Sequence, residues 1–482
     1  MRTHSFRRAM FGTVILATGF TPWMGTWAQE PGKVGGLGGT PKSAAASVTA
    51  APAVKAKDLA APTEKGLAYL VGQQHESGGW GQGGGWRNVD QGRVEGGEVK
   101  DLPDVGNTAV AALALIRAGN TPKEGKYAKQ LAKAVAFLAD KIEKSDKESL
   151  YVTDVKGTQL QGKIGQYIDT FLAALVLAEL KGKMADPQGE SRLVAALDKT
   201  MDKIERNQKA DGTFAGNTGW ASVLSQAVAS KAINRAAQNG VAVKRELLDR
   251  DLQLAASGVD VKKGDFAAAP AVGAAGGTGG GIVGSAIGRP AAGPITGPTA
   301  TAAAGKTGRG ATAGTLAGGG TAPSDAGVSI YNYSAKAGGL QDQVNTTRPA
   351  AQKARRVLAS ESATPAEKQQ AQADVDRFGN LEQANNAATN GIIKRLDDKQ
   401  FIAGFGNNGG EEFLSYMNIS ETLLAKGGTE WLSWDKSATE NLNRVQNQDG
   451  SWSGHHCITG RTFCTATALL TLMADRAPVP LA

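Results

Sequence analysis

Hydrophobic positions in this chain recur at helical spacing, and two short patterns travel with them. The first is an aliphatic residue, Gln four positions later, then Gly and an aromatic ring. It occurs as Leu70, Gln74, Gly78, Trp80; as Ile204, Gln208, Gly212, Phe214; and as Leu442, Gln446, Gly450, Trp452. The four-residue step puts the aliphatic residue and Gln on one helix face, a turn apart. The second pattern is Thr-x2-Ala-x-Leu-x-Leu. It runs from Thr108 to Leu115, Thr170 to Leu177 and Thr465 to Leu472, with looser copies from Ser222 to Ala229 and Ser415 to Thr422. These stretches are apolar on nearly every side and rich in Ala, which predicts helices buried all round. The repeating unit is therefore a helix, a Gly-aromatic turn and a buried helix. No run alternates strictly enough to predict a sheet. The expected fold is all-α, with alternating outer and inner helical hairpins closing into an α/α toroid.

The patterns lie in residues 58–255 and 391–482, read as the first and last parts of the toroid. Between them, residues 256–349 read as a low-complexity disordered insertion, because 267–327 are largely Ala, Gly, Thr and Pro without an aromatic residue. Such a stretch buries too little surface to offset its ordering entropy. Residues 350–390 are rich in helix formers. Thr364-Pro365-Ala366-Glu367 is a capping box that predicts the second helix of an inserted helical hairpin, with a short coiled coil to a partner chain as the alternative. Thr121-Pro122-Lys123-Glu124 and Ser437-Ala438-Thr439-Glu440 predict two more helix starts.

Composition narrows the setting. Arg2, Arg7 and Arg8 precede an apolar run, and Thr26-Trp27-Ala28 offers small residues for cleavage, so 1–28 read as a signal peptide. Residues 29–57 read as a flexible leader, and the mature protein is expected in the periplasm or outside the cell. A loose twin-arginine signal is the alternative route. Lys and Arg number 53 against 45 acids, with no dense basic tract, so nucleic acid is not an expected partner. No later segment is long and apolar enough to cross a bilayer, so no transmembrane segment is expected after signal removal. The partner classes left are a protein or cell-envelope component, or an apolar or sugar ligand.

The residues Lys65 to Leu70 with Gln74 and Gly79-Trp80, and the run Asn447-Gln448-Asp449-Gly450-Ser451-Trp452, resemble the QW motif of squalene–hopene cyclases. The same repeat is found in protein prenyltransferase β subunits and in some toroidal pectate lyases. The chain thus resembles the terpenoid cyclase and prenyltransferase toroid superfamily, as a secreted repeat protein. The resemblance implies the toroid. It also implies structural roles for Gln74, Trp80, Gln208, Phe214, Gln446 and Trp452.

The chemistry of that superfamily is harder to find here. Cyclases use an Asp-x-Asp-Asp motif, and the nearest match, Arg395-Leu396-Asp397-Asp398, has Arg in place of the first acid. Prenyltransferases hold zinc with Asp, Cys and His, and the candidates are the consecutive His455, His456 and Cys457. In an exported protein Cys457 and Cys464 could instead form a disulfide. No cofactor is expected, with a divalent metal at those three residues as the alternative. The catalytic candidates are Asp169, Glu411 and Glu412, read as a carboxylate ring near the starts of inner helices. Trp86, Arg87, Tyr167 and Trp220 are the ligand-binding candidates, because Gly-rich loops at the mouth of a rigid ring suit a sugar. The leading expectation is a non-catalytic binding or scaffold protein. The alternative is a terpenoid-cyclase-like or polysaccharide-lyase-like enzyme using cavity carboxylates.

Overall fold

The computed structural model describes residues 55–86, 93–94, 101–267, 323–406 and 408–478. The signal segment, nearly all of the leader and residues 268–322 lie outside the described residues. The fold is all-α. In chain order the elements are α1 (Ala61–Gly72), β1 (Gly85–Trp86), β2 (Arg93–Val94), α2 (Val105–Arg117), α3 (Ala128–Lys144), α4 (Gln159–Ile164), α5 (Ile168–Leu180), α6 (Pro187–Asn207), α7 (Ser222–Gln238) and α8 (Arg245–Ala256). They continue with β3 (Val259–Asp260), β4 (Asp265–Phe266), α9 (Ser329–Ala359), α10 (Pro365–Ile393), α11 (Lys399–Ala403), α12 (Gly410–Lys426), α13 (Gly428–Val445) and α14 (Arg461–Leu472). The strands form two short antiparallel pairs, β1 with β2 and β3 with β4.

Helices α2, α5, α7, α9, α12 and α14 each pack on the next, and α14 packs back on α2, so the contacts close a circuit. Helices α1, α3, α6, α8 and α13 each pack against a helix of this circuit: α14, α2, α5, α9 and α12 respectively. Neighbouring inner helices meet start to start, as Ser222 of α7 meets Ser324 before α9 and Tyr331 of α9 meets Glu412 of α12, and α2 and α5 meet end to end as well. Gly106 near the start of α2 donates its N–H to Asp169 in the first turn of α5, 2.8 Å away. At the far ends of the same two helices, Arg117 pairs with Glu179.

The Gly-aromatic turns tie each outer helix to its neighbours. Trp80 Nε1 donates to the Leu70 carbonyl at 2.7 Å, and its backbone N–H donates to Thr108 Oγ1 at 2.9 Å. Trp452 repeats both bonds, with the Leu442 carbonyl at 2.8 Å and Thr465 Oγ1 at 2.9 Å. The indole thereby bonds a carbonyl in the last turn of the outer helix, and the backbone N–H fixes the helix that follows. Gln74 Nε2 donates to the Gly78 carbonyl in its own turn and to the Gln130 carbonyl on α3. Gln446 Nε2 donates likewise to the Gly450 carbonyl and to the Pro62 carbonyl on α1. The middle copy departs from this. The Phe214 ring has no N–H to donate, and Gln208 turns its amide so that Oε1 accepts from Arg250 Nε on α8 at 2.8 Å.

The repeat glycines are required twice over. Gly78, Gly212 and Gly450 have φ of +91°, +81° and +92°, and a Cβ there would collide with the backbone of Lys133, Arg250 and Lys65 on the next outer helix. The turn after α3 lacks the motif. There the fully buried Lys203 of α6 donates Nζ to the carbonyls of Ser149 and Tyr151, 2.6 and 2.9 Å away.

At the C-terminal ends of the inner helices the interior is filled by paired charge. Arg117 of α2 pairs with Glu179 of α5 and reaches Glu421 of α12 at 3.7 Å. Lys231 of α7 pairs with Glu421 at 2.6 Å and with Asp342 of α9 at 3.0 Å. Arg235 of α7 lies 3.5 Å from Glu179. Burial opposes ionisation of Glu421, but the charges of Lys231 and Arg117 overcome it and hold its pKa at about 2.

Some expected boundaries move. The stretch 256–349 is not wholly irregular: α9 begins at Ser329 and buries Ile330, Tyr331, Leu340 and Val344. Its first half belongs to the inner circuit. Gly339 packs tightly there, since an added Cβ would stand 3.2 Å from Ser230 of α7 and 3.3 Å from Ala255 of α8. Helices α9 and α10 form a helical hairpin, longer than 350–390, and the Thr364 capping box starts α10. Thr121 instead makes a turn, accepting from the N–H groups of Lys123 and Glu124, and α3 starts at Ala128. Ser437 lies inside α13, which already begins at Gly428.

The charge circuit predicts an asymmetric cost. Arg117→Met leaves Glu179 buried without its main partner and is expected to lose about 3–5 kcal/mol in urea unfolding. Lys144→Met removes only an exposed pair with Asp140 and is expected to change stability by less than about 0.5 kcal/mol.

Candidate functional site

The N-terminal ends of the inner helices gather the unusual acids. Glu411 and Glu412 lie in the first turn of α12, where the helix dipole favours carboxylates, and both are fully buried. Each uses one oxygen to hold a loop. Glu411 Oε2 accepts the Ile458 N–H at 3.1 Å. Glu412 Oε1 accepts the Tyr331 hydroxyl and the Phe405 N–H, the latter at 3.0 Å. The other oxygens, Glu411 Oε1 and Glu412 Oε2, have no hydrogen-bond partner, and neither does either ring nitrogen of His456. His456 Nε2 stands 3.6 Å from Glu412 Oε2.

Burial, with the charge of Glu412 added, pushes the Glu411 carboxyl up to about 8. Burial, then the charge of Glu411, pushes the Cys457 thiol up to about 12, and burial lowers His456. Cys457 also sits at φ +51°, a left-handed conformation uncommon outside glycine. Four rings form a row, and its Tyr331 and His456 approach Glu412. Trp220 lies edge-on to Tyr331 at 6.3 Å and to Phe405 at 5.1 Å, and Phe405 lies edge-on to His456 at 5.0 Å. The row runs from buried Tyr331 to Phe405, which is 57% exposed.

Asp169 belongs to a different pair. Its Oδ1 accepts the Gly106 N–H and its Oδ2 accepts Gln161 Nε2, each at 2.8 Å, so both oxygens are committed. Its neighbour Asp104 caps α2, accepting the Asn107 N–H at 2.8 Å. Burial and the nearby Asp169 push Asp104 up to about 7, and burial raises Asp169 as well. The expected carboxylate ring is therefore two separate pairs, and only Glu411 and Glu412 keep free oxygens.

Three of the four ligand-binding candidates stand at the same ends of the helices. Trp86 is 46% exposed and donates its N–H to Thr459 Oγ1 at 2.7 Å. Tyr167 precedes α5 and donates its hydroxyl to the Ala215 carbonyl at 3.0 Å. Trp220 joins the row of rings, and Arg87 lies outside the described residues. The proposed metal ligands do not converge. His455 is exposed, His456 packs on Phe405, and Cys457 faces Glu411. Among the described residues no group of three His, Cys, Asp or Glu is placed to hold a metal ion. Nor do the cysteines form a disulfide. Cys464 Sγ instead donates to the Ile458 carbonyl.

Sequence reasoning missed Tyr331, Phe405 and Asp104. Asp104 had a readable signal, since an acid four residues before the repeat Thr108 is a helix cap. Comparison of the chain with family models, curated proteins and solved structures gives no match.

The raised Glu411 sets a pH dependence. A carboxyl whose pKa rises from 4.5 to about 8 on folding favours the protonated native state. Its contribution is complete below its unfolded pKa and is lost as pH rises through about 8. The urea midpoint is expected to fall between about pH 5 and pH 8, and Glu411→Gln to flatten that fall in part. An equal slope in both proteins contradicts the assignment.

Proposed function

We propose that this chain is an exported α/α-toroid repeat protein related to the squalene cyclase and prenyltransferase superfamily. On this reading it is a non-catalytic binding protein that takes a sugar ligand at the N-terminal ends of its inner helices. The observation that carries the reading is the pair of buried oxygens that accept no hydrogen bond, Glu411 Oε1 and Glu412 Oε2, the latter 3.6 Å from His456, whose ring continues the row of Phe405 and Trp220. A sugar offers the matching chemistry: hydroxyls that donate to those oxygens and a C–H face that stacks on exposed aromatic rings. The acids already spend one oxygen each on holding loops, which suits a fixed recognition surface. The paired charges at the opposite helix ends leave a binding surface only one end to occupy.

One observation favours a second reading. Glu411, with its pKa near 8, keeps its proton at neutral pH and has the protonation state of a general acid for glycosidic cleavage. Native mass spectrometry with a panel of envelope oligosaccharides separates the two. Binding without change of the oligosaccharide mass supports the binding protein, and Phe405→Ala is expected to weaken that binding at least about tenfold. Cleaved products support the enzyme. Absence of any oligosaccharide complex contradicts both.

A further inference from the structure

A second group of polar side chains surrounds a cavity that this reading does not use. The cavity, about 300 Å³, lies between α7, α8 and α9. Val223, Ala227 and Leu254 give it apolar walls, and Gln226, Asp251 and Lys336 are its chemically distinctive polar residues.

Each polar residue is incompletely matched by the protein. Gln226, 7% exposed, commits Nε2 to the Gly212 carbonyl at 3.1 Å and leaves Oε1 without a partner. Asp251, 1% exposed, receives Ser230 Oγ, Gln343 Nε2 and Asn234 Nδ2, all on Oδ2 and all neutral. No cation pairs with it among the described residues. Lys336 donates to the carbonyl and hydroxyl of Ser257, and no carboxylate pairs with it among the described residues. Asp325, at the edge, is occupied in its own turn by the Gly327 N–H. Burial raises Asp251 to about 6 and lowers Lys336 to about 8, so near neutral pH both groups carry their charges.

Among the described residues, the cavity therefore presents a buried carboxylate without a cation partner, Asp251, with Asp325 a second such carboxylate at its rim, one ammonium without a carboxylate partner, Lys336, and a free amide oxygen. A ligand with a single charge answers only one of them. We propose that this cavity binds a small zwitterionic amino acid, with its ammonium group on Asp251 and Gln226 Oε1 and its carboxylate towards Lys336. The short side chain rests on Val223, Ala227 and Leu254. The volume lies at the lower end of ligand pockets, which restricts the side chain to a few carbons. The proposal does not depend on sugar binding at the helix starts.

Calorimetric titration of the full chain tests it with L-alanine, L-alanine methyl ester and N-acetyl-L-alanine near neutral pH. L-alanine is expected to bind saturably, and each single-charge analogue at least about tenfold more weakly. Lys336→Met is expected to erase the preference for L-alanine over its methyl ester. Asp251→Asn, which keeps an oxygen for the three neutral donors, is expected to erase the preference over the N-acetyl form. Lys336 is only partly buried, so its variant decides the matter should Asp251→Asn fail to fold. No saturable binding of L-alanine, equal binding of the analogues, or unchanged preferences in Lys336→Met overturns the proposal.

Discussion

The indole N–H of a buried tryptophan, given to a carbonyl in the last turn of an outer helix, is the contact on which this architecture rests. Trp80 and Trp452 make it to Leu70 and Leu442, and the same backbone segment gives its N–H to the threonine of the next inner helix. One side chain therefore fixes an outer helix end and an inner helix start together. The left-handed glycine two residues earlier brings the turn onto the following outer helix, where no Cβ fits. Repetition of this step carries the chain round. The last turn meets the first helix, with Gln446 bonded to Pro62 and Gly450 seated on Lys65.

Start-to-start packing of neighbouring inner helices then dictates where charge can be buried. Helix starts gather partial positive charge and helix ends partial negative charge. Asp169, Glu411 and Glu412 stand at starts, while Arg117 and Arg235 stand near ends. The ends solve the desolvation problem by mutual pairing across α2, α5, α7, α9 and α12. The starts solve it differently. Asp104, Asp169 and Glu411 have raised pKa values, and the two glutamates keep one oxygen each unmatched. That difference sets the two ends of the inner helices apart: charge is paired at the ends and left partly unmatched at the starts.

Much of this could be read before any coordinates. Gln, Gly and the aromatic ring announce their turns because each acts locally, within four to ten residues of its partner. Thr108, Thr170 and Thr465 announce buried helices because Ala and Leu surround them. What escaped reading depends on long-range placement. Tyr331 and α9 were hidden by their neighbourhood of small residues, one of which, Gly339, packs tightly on Ser230 of α7. Lys203 replaces a missing motif from 52 residues away, which no local pattern records. Asp169, Glu411 and Glu412 were legible as acids at helix starts. Their division into pairs was not, because it depends on which inner helices are neighbours.

Hydrogen exchange of Gln446→Leu tests the closure most directly. The substitution removes the bonds from the last repeat turn to Gly450 and to Pro62, a residue 384 positions away. If the turns hold the circuit shut, protection is expected to fall in α1 as well as around α14, since local opening follows the contacts that are lost. Loss confined to the last turn and α14, with α1 protected as in the parent chain, would contradict the account.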